Sequence, residues 1–187
     1  VGFQHKHEAD QFLDDLSQRL KEFGLELHPD KTRLIEFGRF AAENREKRGE
    51  GKPETFDFLG FTHLCGKTRK GKFQVCRQTI AKRMRKKLRE IKEALMRRRH
   101  EPVAVLGRWL RSVVQGYFNY YGVPGNIYRL ATFRTHVNRL WLRALKRRSQ
   151  RNRLTWARFG KIVERWIPRA RVLHPYPEER FYAIYPR

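Results

Sequence analysis

From Ile80 to Trp166 the apolar residues recur three or four positions apart, stretch after stretch. This sustained period constrains the fold more than any single motif. Ile80, Met84, Leu88, Ile91 and Leu95 form the first stripe. Glu101-Pro102 interrupts it, and Pro102 suits the first turn of a second helix bearing Leu106, Trp109, Leu110, Val113 and Tyr117. In "GYFNYYGVPGN", residues 116–126, Gly122, Pro124 and Gly125 supply a tight turn to the next helix. That third helix turns Ile127, Leu130, Val137, Leu140, Trp141 and Ala144 inward. After "RRSQRNR", Thr155 is a suitable N-cap for a shorter helix with Trp156, Phe159, Val163 and Trp166 on one side, and Pro168 ends it. The Pro-broken aromatic tail reads as extended chain wrapping a surface.

Before Thr79 the pattern changes. Ala9, Phe12, Leu13, Leu16, Leu20 and Phe23 predict a helix that Gly24 stops. "LELHPDKTRLIEF" predicts two short strands about a Pro-Asp turn, and the polar stretch 43–54 an exposed loop. "TFDFLGFTHLC" and "FQVCR" predict strands joined by the basic turn "GKTRKGK". The expected fold class is therefore α+β. A small β-containing part spans 1–78, and a mainly α-helical bundle with an extended tail spans 79–187.

Charge follows a similar division. Residues 1–64 hold 10 Lys and Arg against 13 Asp and Glu, a net of −3, and residues 65–187 hold 33 against 6, a net of +27, which sum to +24. A chain this basic calls for a polyanion, and nucleic acid ranks ahead of an anionic membrane surface. No apolar run approaches the roughly 20 residues of a membrane-spanning helix. The start lacks the pattern of a signal peptide. Cys65 and Cys76 flank the basic turn and could face each other across a hairpin. With His63 they fall short of the four ligands of a zinc site, so no metal site is expected.

"FLDD", Phe12 to Asp15, invites comparison with the paired aspartates that hold metal ions in polymerases. Leu16 and Leu20 continue the helical stripe through it, which predicts that Asp14 and Asp15 lie on a solvated helix face and not at a strand turn.

Other stretches carry a broader likeness. "VGFQ", the helix after it, "GLELHPDKTRLIEFG" and "FDFLGF" resemble the end of the palm of group II intron-encoded reverse transcriptases. "LRSVVQGYFNYYGVPGN", "LWLRALKRRSQRNRLTW" and "WIPRARVLHPYPEERF" resemble the maturase region, domain X, which is also the thumb. The resemblance covers nearly the whole chain. It implies a palm end over 1–78 and a thumb/maturase domain over 79–187. It implies that Lys31, in "HPDKT", lies near the incoming nucleotide, and that Phe58, Leu59 and Gly60, in "FLGF", help hold the primer end. The partners it implies are intron RNA, an RNA/DNA template–primer and the N-terminal part of a reverse transcriptase. The expected setting is the bacterial cytoplasm. Catalytic aspartates are expected upstream of Val1, so this chain is expected to hold no cofactor, with Mg²⁺ belonging to the full-length polymerase.

The residues themselves supply the candidate RNA contacts. Lys82, Arg83, Arg85, Lys86, Lys87, Arg89 and Lys92 crowd the first helical stretch, against only Glu90 and Glu93. A solvated helix usually interleaves the two signs. Lys82, Arg83, Arg85, Lys86 and Arg89 are therefore candidate phosphate ligands, joined by Arg143, Arg147, Arg148 and Arg151 near the end of the third helix. The tyrosines of "GYFNYYG" read mainly as core that locks the second helix on the third, with base stacking the lesser option. Two other functions are compatible with these residues: a complementing subunit of a split RNA-directed DNA polymerase, and a general basic nucleic-acid binder.

Overall fold

The computed structural model describes residues 1–148, 154–177 and 179. Among them are six helices and one three-stranded antiparallel sheet, so the fold is α+β and mostly helical. The chain forms two compact units, Val1–Thr55 and Phe56–Arg187. The change of period at 78/79 falls inside the second unit, because the strands belong with the helices that follow them.

The first unit holds α1 (Lys6–Glu22) and α2 (Ala41–Lys47). Gly24, at φ +68°, follows the end of α1. Its left-handed backbone is one that a glycine adopts without strain. Asp14 and Asp15 are exposed on α1, as the stripe predicts. The two strands expected in 25–37 are absent. Lys31 and Thr32 amides close the turn on the His28 carbonyl at 3.1 and 3.0 Å, but the flanking residues pair with no strand. A strand exists only by its ladder. The loop expected over 43–54 is helical in its first part, since "AAENREK" consists largely of good helix formers and Ala41 is buried beneath it. Arg48 braces this region through ion pairs to Glu36 and Glu50, which hold both carboxyls below the usual range.

The second unit opens with β1 (Phe56–Phe58), β2 (Phe61–Lys67) and β3 (Phe73–Thr79), in the order β1-β2-β3. Phe58 pairs with Phe61, so Leu59 and Gly60 form a two-residue hairpin turn. Both have positive φ, +47° and +85°, the geometry whose twist matches that of the strands. Leu64 pairs with Cys76 and Cys65 with Val75. The two cysteines therefore point to opposite faces, so the facing arrangement that the sequence allowed does not occur, and both carry thiols.

Four helices follow: α3 (Ala81–Arg97), α4 (Val103–Tyr121), α5 (Ile127–Lys146) and α6 (Trp156–Trp166). Thr155 caps α6, its hydroxyl accepting from the Arg158 amide at 3.3 Å. Leu106, Leu110 and Val114 of α4, Leu130, Phe133, Val137 and Trp141 of α5, and Phe159 of α6 have no solvent exposure. Met84, Ile91 and Leu95 bring the apolar stripe of α3 onto the same core. Each such burial stabilises by roughly 1.5–3 kcal/mol. Trp156 departs from the expected inward stripe. It is 57% exposed, its ring meeting the edge of Phe159 at 5.8 Å. Residues 167–174 cross the bundle as a strap. Arg134 ties its start, donating to the Pro168 carbonyl at 2.9 Å, and the Leu173 amide ties its end, donating to the Gly122 carbonyl at 2.7 Å.

Candidate nucleic-acid interface

The apolar stripe of α3 fixes what its other faces can do. With Met84, Ile91 and Leu95 buried, Lys82, Arg83, Arg85, Lys86 and Arg89 are all exposed. Lys82, Lys86 and Arg89 share a face by their spacing of four and three, and Arg85 lies beside them. On α3 one ion pair neutralises charge among the described residues, Lys87 with Glu90 at 3.1 Å. Lys82 and Arg83 occupy the first turn, which carries no acid. Helix amides already favour an anion there, so the cations and the backbone act in the same sense.

The tyrosines of α4 divide by position. Tyr117 is 7% exposed and stacks on Phe133, ring centroids 3.7 Å apart at 8°. Burial raises its phenol's pKa, an effect tempered by neighbouring Thr79, although the two make no hydrogen bond of good geometry. Tyr121 meets Phe61 edge-on at 5.3 Å, and burial raises its pKa too, partly offset by nearby Arg83. Tyr120 is 52% exposed. Its hydroxyl donates to the Leu59 carbonyl at 2.7 Å, and its ring lies over Phe61 at 5.9 Å. The rings thus pack α4 against both α5 and the β1–β2 turn.

That turn holds three of the expected primer-proximal residues. Phe58 and Leu59 are 58% and 66% exposed, while Gly60 is buried. Gly60 is favoured by its φ of +85°, and a side chain there would stand 3.2 Å from the Tyr121 hydroxyl, which would have to give by a few tenths of an ångström. Lys31 belongs to the first unit, exposed in the His28–Lys31 turn.

The second group of expected RNA ligands is mixed. Arg143 and Arg147 are exposed at the end of α5. Arg148 is half-buried and donates to the Glu101 carbonyl at 2.7 Å, and burial lowers its pKa. It tethers the α3–α4 connection. Arg151 lies outside the described residues.

Sequence reading missed Asn126. It has no exposure, and its side chain accepts from the Thr79 amide at 3.0 Å while donating to the Thr79 hydroxyl and the Tyr121 carbonyl, each at 2.8 Å. An Asn before a helix reads as an N-cap, but this side chain makes no capping bond. Only its place in "VPGN" after the turn glycine could have drawn notice.

Among the described residues no three His, Cys, Asp or Glu side chains gather closely enough to hold a metal ion. Mg²⁺ in a polymerase aligns and neutralises the transferring phosphates. Asp14 and Asp15, successive on a helix, do not converge as such a site requires, and no step is assigned to them. No helix among the described residues is long and apolar enough to cross a membrane. No protein-family model, curated protein or solved structure matches the chain.

Proposed function

We propose that the chain binds structured RNA through its second unit, as the maturase/thumb region of a group II intron reverse transcriptase. The exposed, nearly unneutralised face of α3 carries this reading. Phosphates near Lys82, Arg83, Arg85, Lys86 and Arg89 relieve their mutual repulsion, and the release of condensed counterions drives binding. Recognition is by shape, phosphate and 2′-hydroxyl, as for double-stranded RNA generally. The resemblance of "GYFNYYGVPGN", "RRSQ" and "HPYP" to the maturase region supports intron RNA as the partner and the cytoplasm as the setting. In a complete protein of that kind the same unit would clamp template and primer, with Phe58, Leu59 and Gly60 at the primer end and Lys31 near the nucleotide.

Filter binding of a group II intron RNA tests this. Changing Lys82, Arg85, Lys86 and Arg89 together to Gln keeps good helix formers in place. That variant should melt like the parent, bind at least tenfold more weakly, and show a salt slope flatter by up to about 0.9 per lost phosphate contact. Unchanged affinity would dismiss the reading. Primer extension by this chain, lost on Asp14→Asn and Asp15→Asn, would favour a polymerase subunit instead.

A further inference from the structure

The tip of the β2–β3 hairpin carries Lys67, Arg69, Lys70 and Lys72, all exposed. No carboxylate among the described residues forms an ion pair with any of them. The tip is closed by its own hydrogen bonds. The Gly71 amide donates to the Thr68 carbonyl at 2.9 Å, and the Thr68 amide to the Lys72 carbonyl at 2.8 Å. The Lys72 amide donates to the Thr68 hydroxyl at 3.2 Å. Gly71, at φ +77°, makes the reversal that a three- to five-residue hairpin loop needs. The four cations are thus held on an ordered turn, which lowers the entropy lost when they meet a partner.

The other end of the hairpin is fixed to the RNA-binding helix proposed above. Only Ile80 separates β3 from α3. Its amide donates to the Gly60 carbonyl at 3.1 Å, and Thr79 before it is held by buried Asn126. Arg129 of α5 adds a bond to Gln78 at 3.2 Å. These bonds brace the joint from both the sheet and α5. Seven residues at about 3.3 Å each place the tip roughly 20 Å along the strand from that joint. Two sets of unpaired cations stand at a fixed setting within one compact unit.

We propose that the hairpin tip is a second phosphate-binding surface, and that it engages the same folded RNA as α3. The inference rests on the RNA-binding reading of α3. It adds a contact point that the α3 face alone does not supply. Charge complementarity commits the tip to a polyanion, and its rigid coupling to α3 makes that polyanion the same molecule.

The test uses the full chain, a 24-base-pair RNA duplex as probe, and one-to-one binding at limiting RNA. Changing Lys67, Arg69, Lys70 and Lys72 to Gln should weaken binding about tenfold and flatten the salt slope by up to about 0.9 per lost contact. Changing Lys67, Lys70 and Lys72 to Arg keeps the charge and should retain parental affinity. If the Gln variant binds like the parent while the α3 variant is weak, the tip proposal is overturned and the α3 reading stands. If neither variant weakens binding, both fall. Equal loss in the Arg variant would overturn a charge-based contact at the tip. So would attachment of the tip to anionic phospholipid vesicles with RNA affinity unchanged.

Discussion

At position 117 a phenol occupies a site fit for a phenyl ring. Tyr117 lies flat on Phe133, and its buried hydroxyl has no hydrogen-bond partner of good geometry. Tyr117→Phe should leave stability unchanged or raise it by about 1 kcal/mol, since an unsatisfied polar group is removed. Tyr117→Ala should cost about 3–5 kcal/mol, read by urea denaturation. The raised phenol pKa fixes the sign of a pH effect. The unfolded chain releases this proton near the ordinary value of about 10, while the folded chain retains it. The contribution is intact below that pH and is lost as pH rises above it. Stability should therefore fall between about pH 10 and 12, and fall less in Tyr117→Phe. Leu59 presents the opposite case, an apolar side chain in solvent on a backbone at φ +47°. Asparagine tolerates that region better, so Leu59→Asn should stabilise the fold by about 1 kcal/mol in the same assay. A lower stability would mean that the Leu59 side chain is held by contacts the turn geometry does not suggest.

Between elements, close approach and buried polarity set the geometry. Gly107 of α4 lets Trp166 of α6 lie against the backbone, where an added Cβ would come within 2.5 Å of the indole ring. Gly107→Ala should therefore cost about 1–3 kcal/mol in thermal or chemical melts, despite alanine's better helix propensity. Asn126→Ala strands the Thr79 amide and one bond of the Tyr121 carbonyl, a loss of about 2–5 kcal/mol. Amide exchange at Thr79 should accelerate in that variant, and protection at the parental level would mean that Asn126 does not hold the joint. The helices of the bundle were legible in their apolar spacing, down to the Thr155 cap. The two strands expected in 25–37 did not form, because a β-rich run says nothing of a partner. The cysteine register was hidden for a related reason: Gly71 and its turn set which residues oppose each other, and a shift of one residue reverses the face. The basic face of α3 could be read from composition at helical spacing. The Asn126–Thr79 joint spans 47 positions and leaves no periodic trace.

The two units differ in what holds them. In the first, Ala9 and Ala41 are the buried apolar side chains, whereas the second owns a continuous core drawn from α3, α4, α5 and α6. Low burial means low local stability. Trypsin should cut first within 1–55 and leave a resistant fragment beginning near Gly49, the last site it can cleave before Phe56. A resistant fragment beginning near Thr79 would show that the hairpin is dispensable, against its packing through Phe61 and Thr79. The order in which α6 and the strap are made matters in time. Phe159 covers Trp141, and Leu173 answers the Gly122 carbonyl, yet both leave the ribosome after the helices they complete. The basic face of α3 is born well before the chain that seals its support. A nascent protein therefore displays its cations while its core is still open, and a polyanion within reach would meet the unfinished molecule first.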